Sequence, residues 1–185
     1  RRGPSRIRQV EARAIAKEVK RIADSCGPSL SIGVISFYRA QCDLILESLV
    51  EQGLAEKEDS EIRIARPYRQ TESGVERLRV GTVDAFQGKE FDVVFLSIVR
   101  ANDTIISDQK EGEERERLLN GKYGHLRLAN RLNVAMSRQR KLLVAVGDKR
   151  MADGPESEEA VPALNAFLKL CSKEMANGRS SLSPL

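Results

Sequence analysis

Helical and strand-like hydrophobic patterns alternate along the chain. Apolar residues recur at spacings of three and four over residues 10–23 and again over 42–50, just before Gly53, and each pattern predicts an amphipathic helix. Between them, residues 32–37 form a short apolar run that predicts a strand. We therefore expect the chain to begin with a helix, a strand and a second helix.

The middle of the chain predicts strands on either side of a polar loop. Residues 54–77 are polar and poorly periodic, although 61–65 are compatible with a short strand. Residues 78–83 predict a clearer strand, and the apolar run 93–99 predicts a strand buried on both faces, as the strands of parallel sheets are. Polar residues between two such strands are held against a rigid sheet, where ligand-binding groups are often found.

A mixed-charge stretch follows from residue 103 to 122. Its core at 111–117 reads Glu-Gly-Glu-Glu-Arg-Glu-Arg. This composition is typical of an exposed loop or a solvated helix rather than of a specific partner site. We interpret residues 103–122 as a mobile charged insertion.

The last part of the chain returns to the alternating pattern. Apolar spacing predicts a helix over residues 128–136, a buried strand over 142–146 and a final helix with Pro162 in its first turn. Residues 177–185 are expected to form a frayed tail. Helices alternating with all-apolar strands predict an α/β fold with a mainly parallel sheet, in one domain over residues 1–176.

Composition narrows the function only slightly. The 185 residues carry 31 basic and 27 acidic side chains, and the net charge of +4 suits nucleic acid as well as ordinary solubility. Three scattered cysteines and one histidine argue against a structural metal site and favour a reducing, cytoplasmic setting. No apolar run reaches the roughly 18 residues of a membrane span. Because the chain starts at Arg1 without a methionine, we expect it to be a fragment.

The sequence lacks the phosphate-binding loop of nucleotide hydrolases, G-x-x-x-x-G-K-[ST]. Gly-Lys pairs occur at 88–89 and 121–122, but neither is followed by serine or threonine. No predicted strand ends in a pair of acidic residues for magnesium. The chain alone therefore has no complete site for phosphoryl transfer, and we expect it to hydrolyse no ATP by itself.

Residues 81–92 read Gly-Thr-Val-Asp-Ala-Phe-Gln-Gly-Lys-Glu-Phe-Asp and lead into the apolar run described above. This stretch resembles motif V of superfamily 1 helicases, in the branch that includes the nonsense-mediated-decay RNA helicases and many bacterial DNA helicases. The resemblance implies that Gly88 and Glu90 face a nucleotide. It also implies that Thr82 and Asp84 lie on the nucleic-acid side of the same loop.

Residues 132–141 read Leu-Asn-Val-Ala-Met-Ser-Arg-Gln-Arg-Lys and resemble motif VI of the same helicases. In that motif a helix delivers an arginine into the ATP cleft between two RecA-like domains. The resemblance implies that Arg138 is this arginine finger and that Arg140 is a further nucleotide contact. A guanidinium can stabilise the charge that develops on the γ-phosphoryl oxygens without losing its own proton. Gln139 replaces a residue that is usually small, a change that a helix tolerates.

Simpler explanations remain open for these motif residues. Glu90 could be a surface carboxylate paired with Lys89 or Lys141. Arg138 could be a surface arginine in a solvated basic patch with Arg140 and Lys141. The neighbouring motif residues favour the functional explanation for Arg138.

Residues 36–41 read Ser-Phe-Tyr-Arg-Ala-Gln at the end of the first predicted strand. They resemble motif IV of these helicases, with phenylalanine where proline is usual, and imply nucleic-acid contacts by Tyr38, Arg39 and Gln41. Backbone phosphate is the natural ligand for Arg39. The alternative is that Tyr38 is a core aromatic and Arg39 a charge at a helix start.

Taken together, the three motifs imply the C-terminal RecA-like motor domain of a superfamily 1 helicase, with helices on both faces of the sheet. The family implies ATP and Mg²⁺, with a phosphate loop and magnesium ligands on an N-terminal partner domain. It also implies single-stranded DNA or RNA as substrate, and its branch implies 5′-to-3′ movement. The stretches Met-Ser-Arg-Gln-Arg at 136–140 and Val-Gly-Asp-Lys-Arg-Met at 146–151 resemble bacterial DNA helicases and favour DNA. One alternative is a non-catalytic RecA-like module that binds nucleic acid or protein. An unrelated nucleotide-binding enzyme would need a G-x-G-x-x-G loop, which is absent.

Overall fold

The computed structural model describes residues 6–102, 106–107 and 111–176. Its contacts divide the chain into two compact units, Arg1–Val99 with Val134–Val146, and Arg100–Asn133 with Gly147–Leu185. The tail predicted at 177–185 lies outside the described residues. The predicted single domain over 1–176 stays a prediction.

The described residues include seven α-helices and six strands. The strands are β1 (Ile32–Ser36), β2 (Ala55–Glu58), β3 (Glu61–Ile64), β4 (Leu78–Thr82), β5 (Phe91–Ser97) and β6 (Gln139–Val146). The helices are α1 (Gln9–Cys26), α2 (Arg39–Glu51), α3 (Gly112–Tyr123), α4 (Ala129–Met136), α5 (Arg150–Asp153), α6 (Ser157–Ala160) and α7 (Pro162–Ala176).

A four-stranded sheet forms the centre of the first unit. Its strand order is β4-β1-β5-β6, and all three neighbouring pairs are parallel. In register, Ser36 at the end of β1 stands beside Thr82 of β4 and Ser97 of β5. Parallel strands end at the same edge, so the sheet has one amino edge and one carboxyl edge. The predicted α/β fold with a parallel sheet is confirmed.

Helices lie on both faces of this sheet. On one face α1 and α2 pack against alternate residues of the strands. This buried core includes Ile15 of α1 and Ile45 of α2, with Val34 of β1 and Phe95 of β5. The other face carries a short 3₁₀ helix, Val83–Phe86, whose Phe86 is fully buried. A Cβ added to Gly33 of β1 would lie 2.8 Å from Cε1 of Phe86, so the ring rests directly on the strand backbone.

The connection between β4 and β5 is short for two parallel strands. Residues 83–90 leave β4 at the carboxyl edge and enter β5 at the amino edge, and β1 lies between the two strands. Parallel crossovers usually need a dozen or more residues and an α-helix. Here the eight-residue connection spans the sheet with its 3₁₀ helix, using the space above Gly33.

Some strand boundaries differ from the predicted ones. The strand predicted over 93–99 runs from Phe91 to Ser97, and the strand predicted from 142 begins at Gln139. The early residues of β6 are exposed at a sheet edge, so they lack the apolar signal of a buried strand. Strand β2, which the sequence did not predict, pairs antiparallel with β3 in a separate polar hairpin.

In the second unit, α3 confirms the solvated helix that was one alternative for residues 111–117. Its C-terminal end is nevertheless buried at Leu119, Lys122 and Tyr123. Lys122 forms a buried ion pair with Glu156, and the Tyr123 hydroxyl donates a hydrogen bond to the same carboxylate at 3.3 Å. Burial and the nearby charge of Glu156 raise the pKa of Tyr123. Residues 103–105 and 108–110 of the predicted insertion lie outside the described residues.

Candidate functional site

The segments resembling motifs V and VI meet at the amino edge of the sheet. The connection that carries Gly88 and Glu90 leads into β5, and Arg138 leads directly into β6. The backbone N–H of Phe91 donates a hydrogen bond to the carbonyl of Arg138 at 2.9 Å. Residues 47 positions apart in the chain are therefore joined by one rung of the parallel ladder. Glu90 and Arg138 stand on either side of it.

Arg138 lies in the turn between α4 and β6 rather than on the helix itself. Its Nε donates to the carbonyl of Val134 at 3.0 Å, and Nη2 donates to Ser137 Oγ at 3.0 Å. The guanidinium thus rests on the C-terminal end of α4, where helix carbonyls attract a cation. Gln139, interpreted as a helical residue, is instead the first residue of β6.

Gly88 and Glu90 are both exposed at the end of the crossing connection. Gly88 has φ of +71°, and a Cβ there would meet nothing within 4 Å, so glycine is favoured by the backbone rather than by crowding. The two lysines that were alternative partners for Glu90 are engaged elsewhere. Lys89 binds Glu76 at 2.9 Å, and Lys141 approaches Asp92 at 3.2 Å.

Asp92 organises the polar groups at this edge. Its Oδ2 accepts hydrogen bonds from the backbone N–H and the hydroxyl of Ser31, at 3.0 and 2.7 Å. Its Oδ1 faces Lys141 at 3.2 Å and Arg140 at 3.5 Å. Burial alone would raise the pKa of Asp92, but the bonds from Ser31 and Lys141 and the charge of Arg140 outweigh it and lower the pKa to about 2. Asp92 is therefore ionised at neutral pH.

Arg140 is held by this carboxylate. Besides its approach to Asp92, its Nη2 donates to Ser31 Oγ at 3.1 Å. The predicted nucleotide contact of Arg140 stays a prediction. A nucleotide would have to compete with Asp92 and Ser31 for this guanidinium.

The residues predicted to bind nucleic acid lie at the opposite, carboxyl edge. Arg39 begins α2 after β1 and is highly exposed, with an ion pair to Asp43 at 3.2 Å. Thr82 ends β4 beside Ser36 and is half-buried, and Asp84 is exposed in the 3₁₀ helix that follows. The five residues of β1 separate the two edges by about 15 Å at 3.3 Å per residue.

Gln41 and Tyr38, two of the residues predicted to bind nucleic acid, are buried in the structure. Gln41 is fully buried. Its amide donates to the carbonyl of Arg8 and to Ser97 Oγ, and it accepts from the N–H of Arg8. Only 5% of Tyr38 is exposed, in agreement with the core-aromatic alternative. Both side chains are packed inside the carboxyl edge, whereas Arg39 and Asp84 are exposed and Thr82 is half-buried. The predicted nucleic-acid contacts of these five residues stay predictions.

Three buried polar residues were missed by the sequence interpretation. Ser31 stands directly before β1, and Asp92 is the second residue of β5. A charged residue near the start of an otherwise apolar strand is the signal that could have revealed Asp92. Glu11 was also missed. Its fully buried carboxylate accepts from Ser97 Oγ at 2.8 Å and from the N–H of Val99 at 2.9 Å.

The described residues bring the exposed carboxylate of Glu90 and the guanidinium of Arg138 to the amino edge. Arginine and an exposed glutamate at one edge are groups that bind phosphate and ribose. Within residues 6–102, 106–107 and 111–176, however, nowhere do three histidine, cysteine or acidic side chains converge as metal ligands. The same residues include no helix that is both long and apolar enough to cross a membrane.

Comparisons with known proteins agree with the motifs. A family model described as "AAA domain" matches residues 1–150. The Neurospora crassa protein "Regulator of nonsense transcripts 1 homolog" is 31% identical over 149 residues, 80% of this chain and 11% of the relative. The Saccharomyces cerevisiae protein "DNA polymerase alpha-associated DNA helicase A" is 30% identical over 144 residues, 78% of this chain and 16% of the relative. The chain thus spans less than a fifth of the length of either relative.

Proposed function

The chain belongs to the superfamily 1 helicases, in the branch of the nonsense-mediated-decay type, and from this membership we propose that it is the second, C-terminal motor domain of an ATP-dependent helicase. In this proposal the amino edge of the sheet forms one wall of the ATP cleft. The carboxyl edge forms part of the track for a single nucleic-acid strand.

The observation that carries the proposal is the rung between Phe91 and Arg138. Its 2.9 Å hydrogen bond brings a segment with an exposed carboxylate and a segment with a guanidinium to the same edge. Glu90 would accept a hydrogen bond from a ribose hydroxyl or help to order the phosphates. Arg138 would leave Val134 and Ser137 and place its fork of N–H donors on the γ-phosphoryl oxygens. There it would stabilise the transition-state charge.

The crossing connection gives a physical link between the two ligands. Residues 83–90 start after Thr82 at the carboxyl edge and end with Glu90 at the amino edge. In this proposal the nucleic acid binds at the first edge and the nucleotide at the second. Phe86 anchors the middle of this segment on Gly33. A shift at one end would be transmitted to the other along eight residues.

We propose an N-terminal RecA-like domain as the partner of this wall. That domain would hold the phosphate loop and the magnesium ligands. The sequence of this chain lacks the phosphate-loop pattern, and among the residues that the structure describes no three potential metal ligands converge. The chain alone would then hydrolyse no ATP. Translocation would run 5′ to 3′ on single-stranded DNA, with RNA as the alternative substrate. The cysteines Cys26, Cys42 and Cys171 form no disulfide and suit the cytoplasmic location that we propose.

The test of the finger uses the full-length protein encoded by the gene. Arg138→Ala is expected to lower kcat for ATP hydrolysis by at least about 10²-fold, with a modest change in ATP affinity. Arg21→Ala is the matched control, because Arg21 is an exposed arginine of α1 that pairs only with Glu18 among the contacts described. Near-normal turnover in Arg138→Ala would remove the finger assignment. Equal losses of ATP binding and turnover would also count against it.

Strand binding is tested at the opposite edge. Arg39→Ala in the full-length protein is expected to weaken single-strand binding and to reduce the slope of log affinity against log salt by about one ion. Strand-displacement assays on 5′- and 3′-tailed duplexes of DNA and RNA then determine polarity and substrate. A full-length protein with neither ATP hydrolysis nor strand displacement would favour the non-catalytic binding module.

A further inference from the structure

A bulge at the amino edge sets Asp92 against two basic residues. Between the first two matched pairs of β5 and β6, Asp92 alone faces both Arg140 and Lys141. In a regular strand, successive side chains point to opposite faces, whereas a bulge re-aims one of them. The irregular register explains how two consecutive cations both approach the Oδ1 atom of one carboxylate.

The other oxygen of Asp92 ties these two strands to a third. Ser31, directly before β1, donates to Oδ2 through both its N–H and its hydroxyl. The same hydroxyl accepts from the N–H of Asp92 at 2.9 Å and from Arg140 at 3.1 Å. One carboxylate thus links the starts of β1, β5 and β6. We call Ser31, Asp92, Arg140 and Lys141 the edge clamp.

Two residues of the edge clamp each lie two positions after Glu90 or Arg138 in the chain. Asp92 follows Glu90 by two positions, and Arg140 follows Arg138 by two. The rung from Phe91 N–H to the Arg138 carbonyl lies between these pairs. If β5 slid along β6 at the bulge, the distance between Glu90 and Arg138 would therefore change.

We propose that Asp92 is a positioning residue for ATP hydrolysis, which holds Glu90 and Arg138 at the spacing that γ-phosphoryl transfer requires. Arg140 and Lys141 hold the Oδ1 atom of Asp92 from β6. The inference rests on the proposed function of Arg138 and extends it to Asp92, which would act through Glu90 and Arg138 rather than on the nucleotide itself. Burying a carboxylate with its counter-ions is a weak source of stability, and its better-attested use is to select one geometry.

Asp92→Asn tests the edge clamp in the full-length protein. The asparagine oxygen can still accept from Ser31, but the side chain loses its charge and turns N–H donors toward Arg140 and Lys141. We expect kcat to fall by about 10- to 10²-fold with little change in ATP affinity, as for a misplaced catalytic group. Combined with Arg138→Ala, the same substitution is expected to lower kcat no further, because it acts through Arg138.

A second readout follows the clamp without relying on catalysis. Hydrogen–deuterium exchange at the Phe91 amide should accelerate in Asp92→Asn, since this amide forms the rung to Arg138. Lys141→Gln removes one exposed cation and should give the same pattern to a smaller extent, even if Asp92→Asn folds poorly. Glu156→Gln is the matched control. Its buried carboxylate also binds a lysine and a hydroxyl, and its loss should lower stability without changing kcat.

The possible outcomes separate this inference from the proposed function. If Arg138→Ala retains turnover, the finger assignment fails, whereas faster Phe91 exchange in Asp92→Asn would still support the clamp geometry. If Arg138→Ala abolishes turnover but Asp92→Asn leaves kcat and Phe91 exchange unchanged, the positioning role is overturned. An equal drop in kcat with and without Arg138 would also overturn it, because a merely structural role acts in both backgrounds.

Discussion

Gly33→Ala tests whether the crossing connection is packed as the structure shows. The added Cβ would lie 2.8 Å from Phe86 Cε1 and 3.0 Å from Phe91 Cδ2. Carbon atoms in ordinary contact are about 3.5–4.0 Å apart, so both rings would have to move. Phe86 is fully buried and Phe91 nearly so, and neither ring can turn into solvent.

The expected cost combines two opposing effects. Overpacking a well-filled site costs about 1–3 kcal/mol. Alanine in a strand recovers about 0.5–1 kcal/mol relative to glycine, because it restricts the unfolded chain. Because two buried rings would have to move, we expect the upper part of the overpacking range, about 2–3 kcal/mol. Gly33→Ala should then lower the free energy of unfolding by about 1–2.5 kcal/mol.

Urea unfolding followed by circular dichroism measures this change, and Gly121→Ala provides the matched control. Gly121 lies in α3, and a Cβ there would meet nothing within 4 Å. The same substitution at Gly121 should stabilise the protein by about 0.5–1 kcal/mol. Opposite signs at the two glycines are the expected result. A Gly33→Ala protein as stable as the wild type would refute the packing of Phe86 on β1.

Three further predictions concern stability and reactivity. Glu11→Ala should lower the free energy of unfolding by about 3 kcal/mol in urea titrations, because Ser97 and Val99 lose a buried acceptor, whereas the exposed Glu18→Ala should cost under about 1 kcal/mol. The folded-state pKa of Asp92, about 2, lies below the unfolded value of about 3.9. Its stabilisation should thus be present above about pH 4 and be lost as the pH falls toward about 2, and a urea midpoint for Asp92→Asn with undiminished pH dependence would contradict this. Burial raises the pKa of the Cys42 thiol to about 12, so a thiol reagent at about pH 8 should label exposed Cys26 on the order of 10³-fold faster than Cys42 in the native protein, and similar rates would contradict the burial.

The hydrophobic pattern was a sound guide to the central sheet because its inner strands are buried. Strand β5 has seven buried residues in succession, which no solvated segment would show. Strand β2 and the start of β6 are largely exposed, so their pairing depends on neighbours that the local sequence does not display. The same limit applies to α3, whose buried C-terminal end depends on Glu156, 34 positions after Lys122.

The candidate site was predictable in its residues but not in its arrangement. Motif resemblance located Gly88, Glu90 and Arg138, and the structure brings their segments to one edge. The segments meet at the amino edge because the short crossover over residues 83–90 carries the chain across the sheet. This crossover has no apolar periodicity, so the sequence pattern did not predict it. Gln41 was predicted to contact nucleic acid. The local sequence could not reveal its burial, because that burial involves Ser97, 56 positions away in the chain.

The most direct test of the account compares two nucleotide states in the full-length protein. ADP with aluminium fluoride imitates the transferring phosphoryl group, and ADP alone does not. If Arg138 stabilises the transition state, Arg138→Ala should raise the Kd for ADP–aluminium fluoride by at least about 10²-fold and leave the Kd for ADP nearly unchanged. A variant that binds both ligands as the wild type does, or loses both equally, would contradict the assignment of the amino edge as the catalytic wall.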